Sequence, residues 1–313
     1  MSRIHEALRK AAQENSDVSK LPPARTEATS GRFEDTLPSG TAVADRVQLD
    51  DLDPDGLSQL IRNAREISFD PPSDLLLVHP TKPREAPSEE FRTLRTRLNH
   101  LQTVQPLHTL VVTSPSPAEG KSFTAANLAI TQAQLAGKRV LLADFDFRRP
   151  NVNKTFQIDS SPGITDYLAG HATLGDIIQK VAGLNLYLMT AGEAVPNPLE
   201  LLNLKECKNL IDQVHDHFDW VILDSPPLLF AADANLLASM CDGTILVVRI
   251  GATTFDAVAR AVPSLSENNV LGVVVNGARR GEVYNKYSYE YGYNSDKKDG
   301  TETPANSGTL YWV

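Results

Sequence analysis

The stretch Thr113–Ser122, TSPSPAEGKS, constrains this chain more than any other. An apolar run, Leu110-Val111-Val112, feeds it, and a helical pattern from Phe123 to Ala136 follows. A strand that delivers a loop ending Gly120-Lys121-Ser122 and then opens a helix is how a backbone builds a cradle for oxyanions. Loop amides and the positive helix end face the charge, Lys121 reaches the outer phosphates, and the Ser122 hydroxyl ligates Mg²⁺. The cradle runs from Ser116 through Pro117, Ala118, Glu119, Gly120, Lys121 and Ser122 to Phe123. The plain alternative is an ordinary strand–turn–helix with a surface lysine. Groups at the other strand ends decide between the two.

The chain has 313 residues, 41% of them hydrophobic, which suffices for one large domain with appendages. A net charge of −9 without a dense Lys/Arg block argues against nucleic acid as a ligand. Cys207 and Cys241 lack metal-ligand spacing and make no disulfide framework, so they read as small apolar residues in a reducing compartment. Met1–Gln13 carries charges and no apolar core, unlike a signal peptide. The apolar region Trp220–Met240 is broken by Asp224, Pro226, Pro227 and Asp233, which bars it from spanning a bilayer. The expectation is a cytoplasmic chain.

Residues 1–84 read as a flexible N-terminal arm. It opens with a short amphipathic helix, Ser2–Ala12, and holds a second possible helix at Leu57–Glu66 in a polar, Pro- and Ser-rich background. A firm helix follows from Glu89 to about Leu101, with Phe91, Leu94, Leu98 and Leu101 as its apolar stripe. Glu89, Arg92 and Arg95 form a charged ridge lying largely away from that stripe, either a solvated face or a docking edge. From Leu107 onward, strands and helices alternate. Candidate strands are Thr109–Thr113, Arg139–Ala143, Leu184–Met189, Trp220–Leu223, Gly243–Val248 and Val270–Val275. They are short, β-branched and apolar on both faces, so the spacing predicts a doubly wound, mostly parallel α/β sheet over residues 85–280. Residues 281–313 hold six of the chain's eight tyrosines in a polar background without an apolar face, and read as a disordered tail. A stray edge strand is the alternative there.

In such a sheet the ligand sits at the carboxyl ends of the strands. Arg139–Ala143 ends in Asp144-Phe145-Asp146-Phe147-Arg148-Arg149-Pro150, and Trp220–Leu223 ends in Asp224-Ser225-Pro226-Pro227. Several carboxylates near one Mg²⁺-nucleotide can divide the labour, one orienting metal water and another taking a proton from an incoming hydroxyl. Singly, each aspartate is as well explained as a helix cap.

With those residues in view, the chain resembles the bacterial tyrosine kinases (BY-kinases) of capsule and exopolysaccharide systems, in their separate CpsD/CapB-like form, over about Glu85–Tyr293. SPSPAEGKS is similar to the family's Walker A, VLLADFDFRRP to its Walker A′ and VILDSPP to its Walker B. EEFRTLR, with Glu89, Arg92 and Arg95, matches its oligomerisation ridge, and the tyrosine-rich tail completes the likeness. The resemblance implies a P-loop fold related to ParA and MinD, and ATP with Mg²⁺ as cofactors. Lys121 would then sit on the outer phosphates, Ser122 and Asp224 on the metal. Asp144 and Asp146 would serve the metal and the activation of the tyrosine hydroxyl, and Arg148 would steady phosphate charge. It further implies trans phosphorylation of Tyr284, Tyr287, Tyr289, Tyr291 and Tyr293 within a homo-oligomeric ring. A transmembrane polysaccharide co-polymerase, the chain-length regulator, would be activator and would recruit the chain to the inner face of the cytoplasmic membrane. Filling those five sites adds on the order of −8 to −10 charges per subunit, enough to loosen a ring.

Two departures from the family pattern stand out. Pro115 and Ala118 occupy positions where glycines are usual. If residue 118 needs positive φ, alanine costs about 1–2 kcal/mol there, and otherwise nothing. A ParA/MinD-like switch ATPase is a further reading, but Ser116 stands where those proteins carry a signature lysine. A nucleotide-binding scaffold of a polysaccharide export machine, with weak or no kinase activity, is the third.

Overall fold

The computed structural model describes residues 54–69, 78, 88–265, 270–278 and 309–312. Within them the strands form one nine-stranded sheet. Its order is β1 (Arg65–Ile67), β4 (Gln179–Val181), β5 (Leu186–Met189), β3 (Val140–Asp144), β6 (Trp220–Asp224), β2 (Thr109–Thr113), β7 (Gly243–Arg249), β8 (Val270–Ala278), β9 (Thr309–Trp312). The β4–β5 and β8–β9 pairs are antiparallel and the other pairs parallel. All residues of β2, β3, β5 and β6 are buried, as the two-sided apolar runs require.

Two faces bury two sets of side chains. On one, Leu110, Val112, Leu142 and Ile222 pack with Phe91, Leu94 and Leu98 of α2 (Ser88–Val104) and with α3 (Lys121–Ala133). On the other, Val111, Leu141, Val221 and Leu223 pack with Leu210, Ile211 and Val214 of α8 (Lys205–His215). Beyond β2, α9 (Asp233–Ser239) and α10 (Phe255–Ala261) cover β7 and β8. The stripe expected on α2 is therefore real. Trp220 at the start of β6 anchors the same helix, its indole nitrogen donating to Asn99 Oδ1 at 3.0 Å. β2 lies between β6 and β7, with β3 beyond the one and β8 beyond the other. Strands on the two sides of β2 are thus reached by connections running in opposite directions across the sheet, and the loop leaving β2 sits at the switch point.

The expected boundary near residue 84 is corrected. α1 (Pro54–Arg62) and β1 belong to the domain: Leu57, Ile61 and Ile67 are buried, β1 pairs in parallel with β4, and Phe69 stacks on Phe156 at 4.5 Å. Buried Val78 donates its amide to Asn127 Oδ1 at 2.9 Å. The segment escapes sequence reading because a three-residue strand has no measurable period and its few apolar residues stand among polar ones. Ile61→Ala is expected to destabilise the protein by about 2–5 kcal/mol in urea denaturation, whereas a flexible arm would leave stability unchanged.

The tail is corrected at its end. Thr309–Trp312 form the antiparallel edge strand β9, with Val275 opposite Tyr311 and Val274 opposite Trp312, as a β-prone TLYW run allows. The Ser2–Ala12 helix, residues 14–53 and tyrosines 284–293 lie outside the described residues. The last predicted helix, Phe255–Asn268, is α10 followed by a 3₁₀ turn, Val262–Leu265. Short α4 (Val152–Phe156), α5 (Ile164–Leu168), α6 (Leu174–Ile177) and α7 (Pro198–Leu202) complete the set. Cys207 is buried and Cys241 half-buried, both free thiols, and burial pushes the Cys207 thiol up to about 12.

Candidate active site

The loop after β2 turns tightly before α3. Gly120, at its end, has φ +97°, and a Cβ there would lie 1.9 Å from Asn276 Nδ2, so both backbone angle and space demand glycine. Ala118 has φ +63°. The conditional cost is thus incurred: alanine in the left-handed region carries about 1–2 kcal/mol of strain. Ala118→Gly removes that strain but loosens the unfolded chain, so the net gain expected is about 0.5–1 kcal/mol, read as a Tm rise of about 1–4 °C. An unchanged or lower Tm contradicts it.

Register brings the acidic residues together. Asp144 ends β3 directly opposite Asp224, the last residue of β6, and Asp146 follows two residues on. Lys121 opens α3 among them: its Nζ lies 2.7 Å from Asp146 Oδ2 and 3.7 Å from Asp224 Oδ1, and donates to Ser122 Oγ at 3.2 Å. Burial alone would lower the lysine, but Asp224, Asp146 and Asp144 hold its pKa above the usual value.

The three carboxylates are bonded very differently. Asp144 is saturated: Oδ2 accepts the amides of Asn151 and Val152 at 2.9 Å each, and Oδ1 accepts that of Asp146 at 3.1 Å. The helix-cap reading holds for this aspartate, which satisfies the start of α4. Burial, then the charge of Asp224, nevertheless pushes its pKa up to about 7. Asp146 divides its oxygens between Lys121 and the Arg149 amide, 3.0 Å from Oδ1. Asp224 is wholly buried, and neither of its oxygens has a hydrogen-bond partner among the described residues. Burial raises its pKa, against the pull of Lys121 and Ser122. An orphaned carboxylate beside a lysine and a hydroxyl fits a hard cation that brings its own waters. The described residues hold no group of three or more acids, histidines or cysteines arranged to cage a metal.

Other expected residues are placed differently. Arg148 makes a two-pronged pair with buried Asp233, Nε to Oδ2 at 2.8 Å and Nη2 to Oδ1 at 3.3 Å, so it braces the loop after β3 against α9. Arg95 does not stand clear of the core. Its Nη1 donates to the Thr131 carbonyl of α3 at 2.9 Å, and burial first, then Arg92, lowers its pKa. Arg92 pairs with Glu89 on α2. Phe123 is half-buried and packs edge-on against Phe91. Ser116 and Pro117 lie on the accessible crest of the loop, while Glu119 is buried, which raises its carboxyl against the hydroxyl of Thr253 and the amide of Ser116. Thr253 and Arg249, which bond to the loop, escaped the sequence reading because no motif contains them. Asn276 donates to the Glu119 carbonyl at 3.0 Å.

A mostly parallel sheet with a phosphate loop at its switch point, a lysine among carboxylates and a buried aspartate without a hydrogen-bond partner among the described residues defines a P-loop nucleotide-binding protein. Comparison narrows the class. A family model described as AAA domain matches residues 117–266. The tyrosine-protein kinase YwqD of Bacillus subtilis is 37% identical over 219 residues, covering 69% of this chain and 90% of that protein. The putative tyrosine-protein kinase CapB of Staphylococcus aureus is 30% identical, covering 71% and 96%. Among solved structures, the kinase domain of Escherichia coli tyrosine kinase ETK superposes with a TM-score of 0.61 at 29% identity, covering 71% of this chain and 83% of that one. The chimerical protein CapA2B2 gives a TM-score of 0.60 at 28% identity, covering 71% and 98%. The chain belongs to the bacterial tyrosine-protein kinases and is a protein-tyrosine kinase. Among the described residues no helix is long and apolar enough to cross a membrane.

Proposed function

We propose that the chain is an autokinase that uses ATP and Mg²⁺ to phosphorylate the tail tyrosines of a neighbouring copy. The observation that carries this reading is Asp224, buried with neither oxygen hydrogen-bonded among the described residues and only a 3.7 Å ion pair to Lys121. Mg-ATP supplies the phosphoryl group and, through its metal, part of the charge neutralisation the transfer needs. Ser122 and Asp224 would hold the metal, and the amides of Ala118–Ser122 at the start of α3 would face the phosphates, the Ser116 amide being taken by Glu119. Lys121, turning from Asp146 to the outer phosphates, frees a carboxylate that can accept the proton of an incoming tyrosine hydroxyl. Asp146 takes that role more readily than Asp144, whose oxygens are already committed to three amides. Asp144 sets the shape of the loop and adds negative charge behind the metal.

The acceptors in this reading are Tyr284, Tyr287, Tyr289, Tyr291 and Tyr293. The chain acts as a homo-oligomeric ring built on Glu89 and Arg92, with Arg95 contributing chiefly to the α2–α3 contact. It is held at the inner face of the cytoplasmic membrane by a transmembrane co-polymerase and regulates capsule or exopolysaccharide synthesis. Support for the polysaccharide setting comes from the motif resemblance.

A mixing experiment tests the trans step. The Lys121→Met chain, inactive but with its tail intact, is incubated with Mg-ATP and a chain in which all five cluster tyrosines are phenylalanine. Phosphate is expected on the tail of the inactive chain by mass spectrometry. Modification only when lysine and tyrosines share one polypeptide contradicts transfer between copies.

A further inference from the structure

The crest of the phosphate loop is fastened from the side by residues outside every motif. Glu119 is almost wholly buried, an expensive place for an acid. Both its oxygens are used: Oε2 accepts the Ser116 amide at 2.9 Å, and Oε1 accepts the Thr253 hydroxyl at 2.6 Å. The Thr253 hydroxyl in turn accepts the Arg249 amide at 2.7 Å. A hydroxyl has one proton, and here it goes to Glu119 because the amide occupies a lone pair. Arg249 Nη1 then reaches back to the Ala118 carbonyl at 3.1 Å, beside the left-handed residue, and Asn276 Nδ2 holds the Glu119 carbonyl at 3.0 Å. Arg249 ends β7, and Asn276 lies near the end of β8, where its carbonyl accepts the Ile250 amide at 3.0 Å. Two neighbouring strands thus grip consecutive residues of one loop.

We propose that Thr253 is a positioning residue for the phosphate loop. Through Glu119 it fixes the loop in the shape whose amides converge on nucleotide phosphates, and Arg249 and Asn276 complete the clasp. The proposal rests on the reading that this loop holds a nucleotide. The physical demand at position 253 is for a hydroxyl: serine meets it, and valine, equal in shape, leaves a buried carboxylate oxygen without its donor.

The test compares wild type, Thr253→Val and Thr253→Ser in titrations with fluorescent Mg-ADP, in steady-state kinase assays and in thermal melts. Losing a charge-assisted hydrogen bond is expected to weaken Mg-ADP binding about tenfold in Thr253→Val. KM for ATP should rise in proportion while kcat stays within about twofold, because the clasp serves ground and transition states alike. Thr253→Ser should restore binding to within about threefold of wild type. A Thr253→Val protein that is folded and binds Mg-ADP like wild type overturns the clasp, as does a serine variant no better than valine. Should Thr253→Val fail to fold, Glu119→Gln carries the test, since it keeps the shape and removes the charge: weaker Mg-ADP binding supports the clasp, and unchanged binding overturns it. Wild type that binds no Mg-ADP at all overturns the nucleotide reading instead, so the two failures are distinct.

Discussion

Asp224→Asn should lower kcat/KM by at least about a hundredfold while leaving the nucleotide-free protein as stable as wild type or more so. The two halves have one cause. Asp224 is wholly buried, without a hydrogen-bond partner among the described residues, and opposite Asp144 across the β3–β6 ladder. Its folded pKa lies above the ordinary carboxylate value, burial being the main cause, with Lys121 only partly offsetting it. A raised carboxylate binds its proton more tightly in the folded than in the unfolded state. Stability from this group is therefore present at low pH and lost as pH rises through the folded pKa, so the ionised form works against folding at neutral pH. Neutral asparagine removes that cost and also removes the negative charge that a metal needs. Paired kinase assays and thermal melts read both effects. A several-degree fall in Tm with activity intact would show instead that Asp224 is a structural group.

Lys121→Met is expected to act in the opposite sense on stability and more severely on activity. The ammonium sits 2.7 Å from Asp146 and 3.7 Å from Asp224. Removing one partner of a buried ion pair leaves an uncompensated charge, which costs about 3–5 kcal/mol. Part of that loss should return in the double variant Lys121→Met/Asp146→Asn, which no longer carries the stranded carboxylate, and a double-mutant cycle in urea measures the coupling. Activity should not return with it. A cation directed at the transferring phosphoryl group is worth about 10³–10⁵ in rate, so both variants should be inactive within detection. Equal stability of wild type and Lys121→Met would mean that the lysine does not neutralise this cluster.

How much of this was legible in the sequence follows from how local each signal is. The β2 loop, the α2 stripe and the six core strands announce themselves through runs of four or more residues, long enough for a pattern to show. The grouping of Asp144, Asp146 and Asp224 was legible because strand ends in a parallel sheet converge on one edge. Their division of labour was not legible. Asp144 differs from Asp224 through the amides of Asp146, Asn151 and Val152, the last two supplied by the start of a short helix further down the chain. Arg148 and Arg95 look like free cations in the sequence, and only tertiary neighbours, Asp233 and the Thr131 carbonyl, reveal that they are engaged. β1 and β9 are edge strands of three and four residues whose pairing partners lie 114 and 31–38 positions away in the chain; no local pattern encodes that. The sign of φ at residue 118 was likewise undecided by an alanine, since most alanines avoid the left-handed region it occupies here.

The most direct test of the central claim is to incubate the purified protein and its Lys121→Met variant with Mg-ATP and to map phosphate by mass spectrometry. The account predicts phosphotyrosine within Tyr284–Tyr293 in the wild-type protein and none in the variant. ATP hydrolysis by the wild-type protein without phosphotyrosine would contradict it and leave the chain a nucleotide-driven switch.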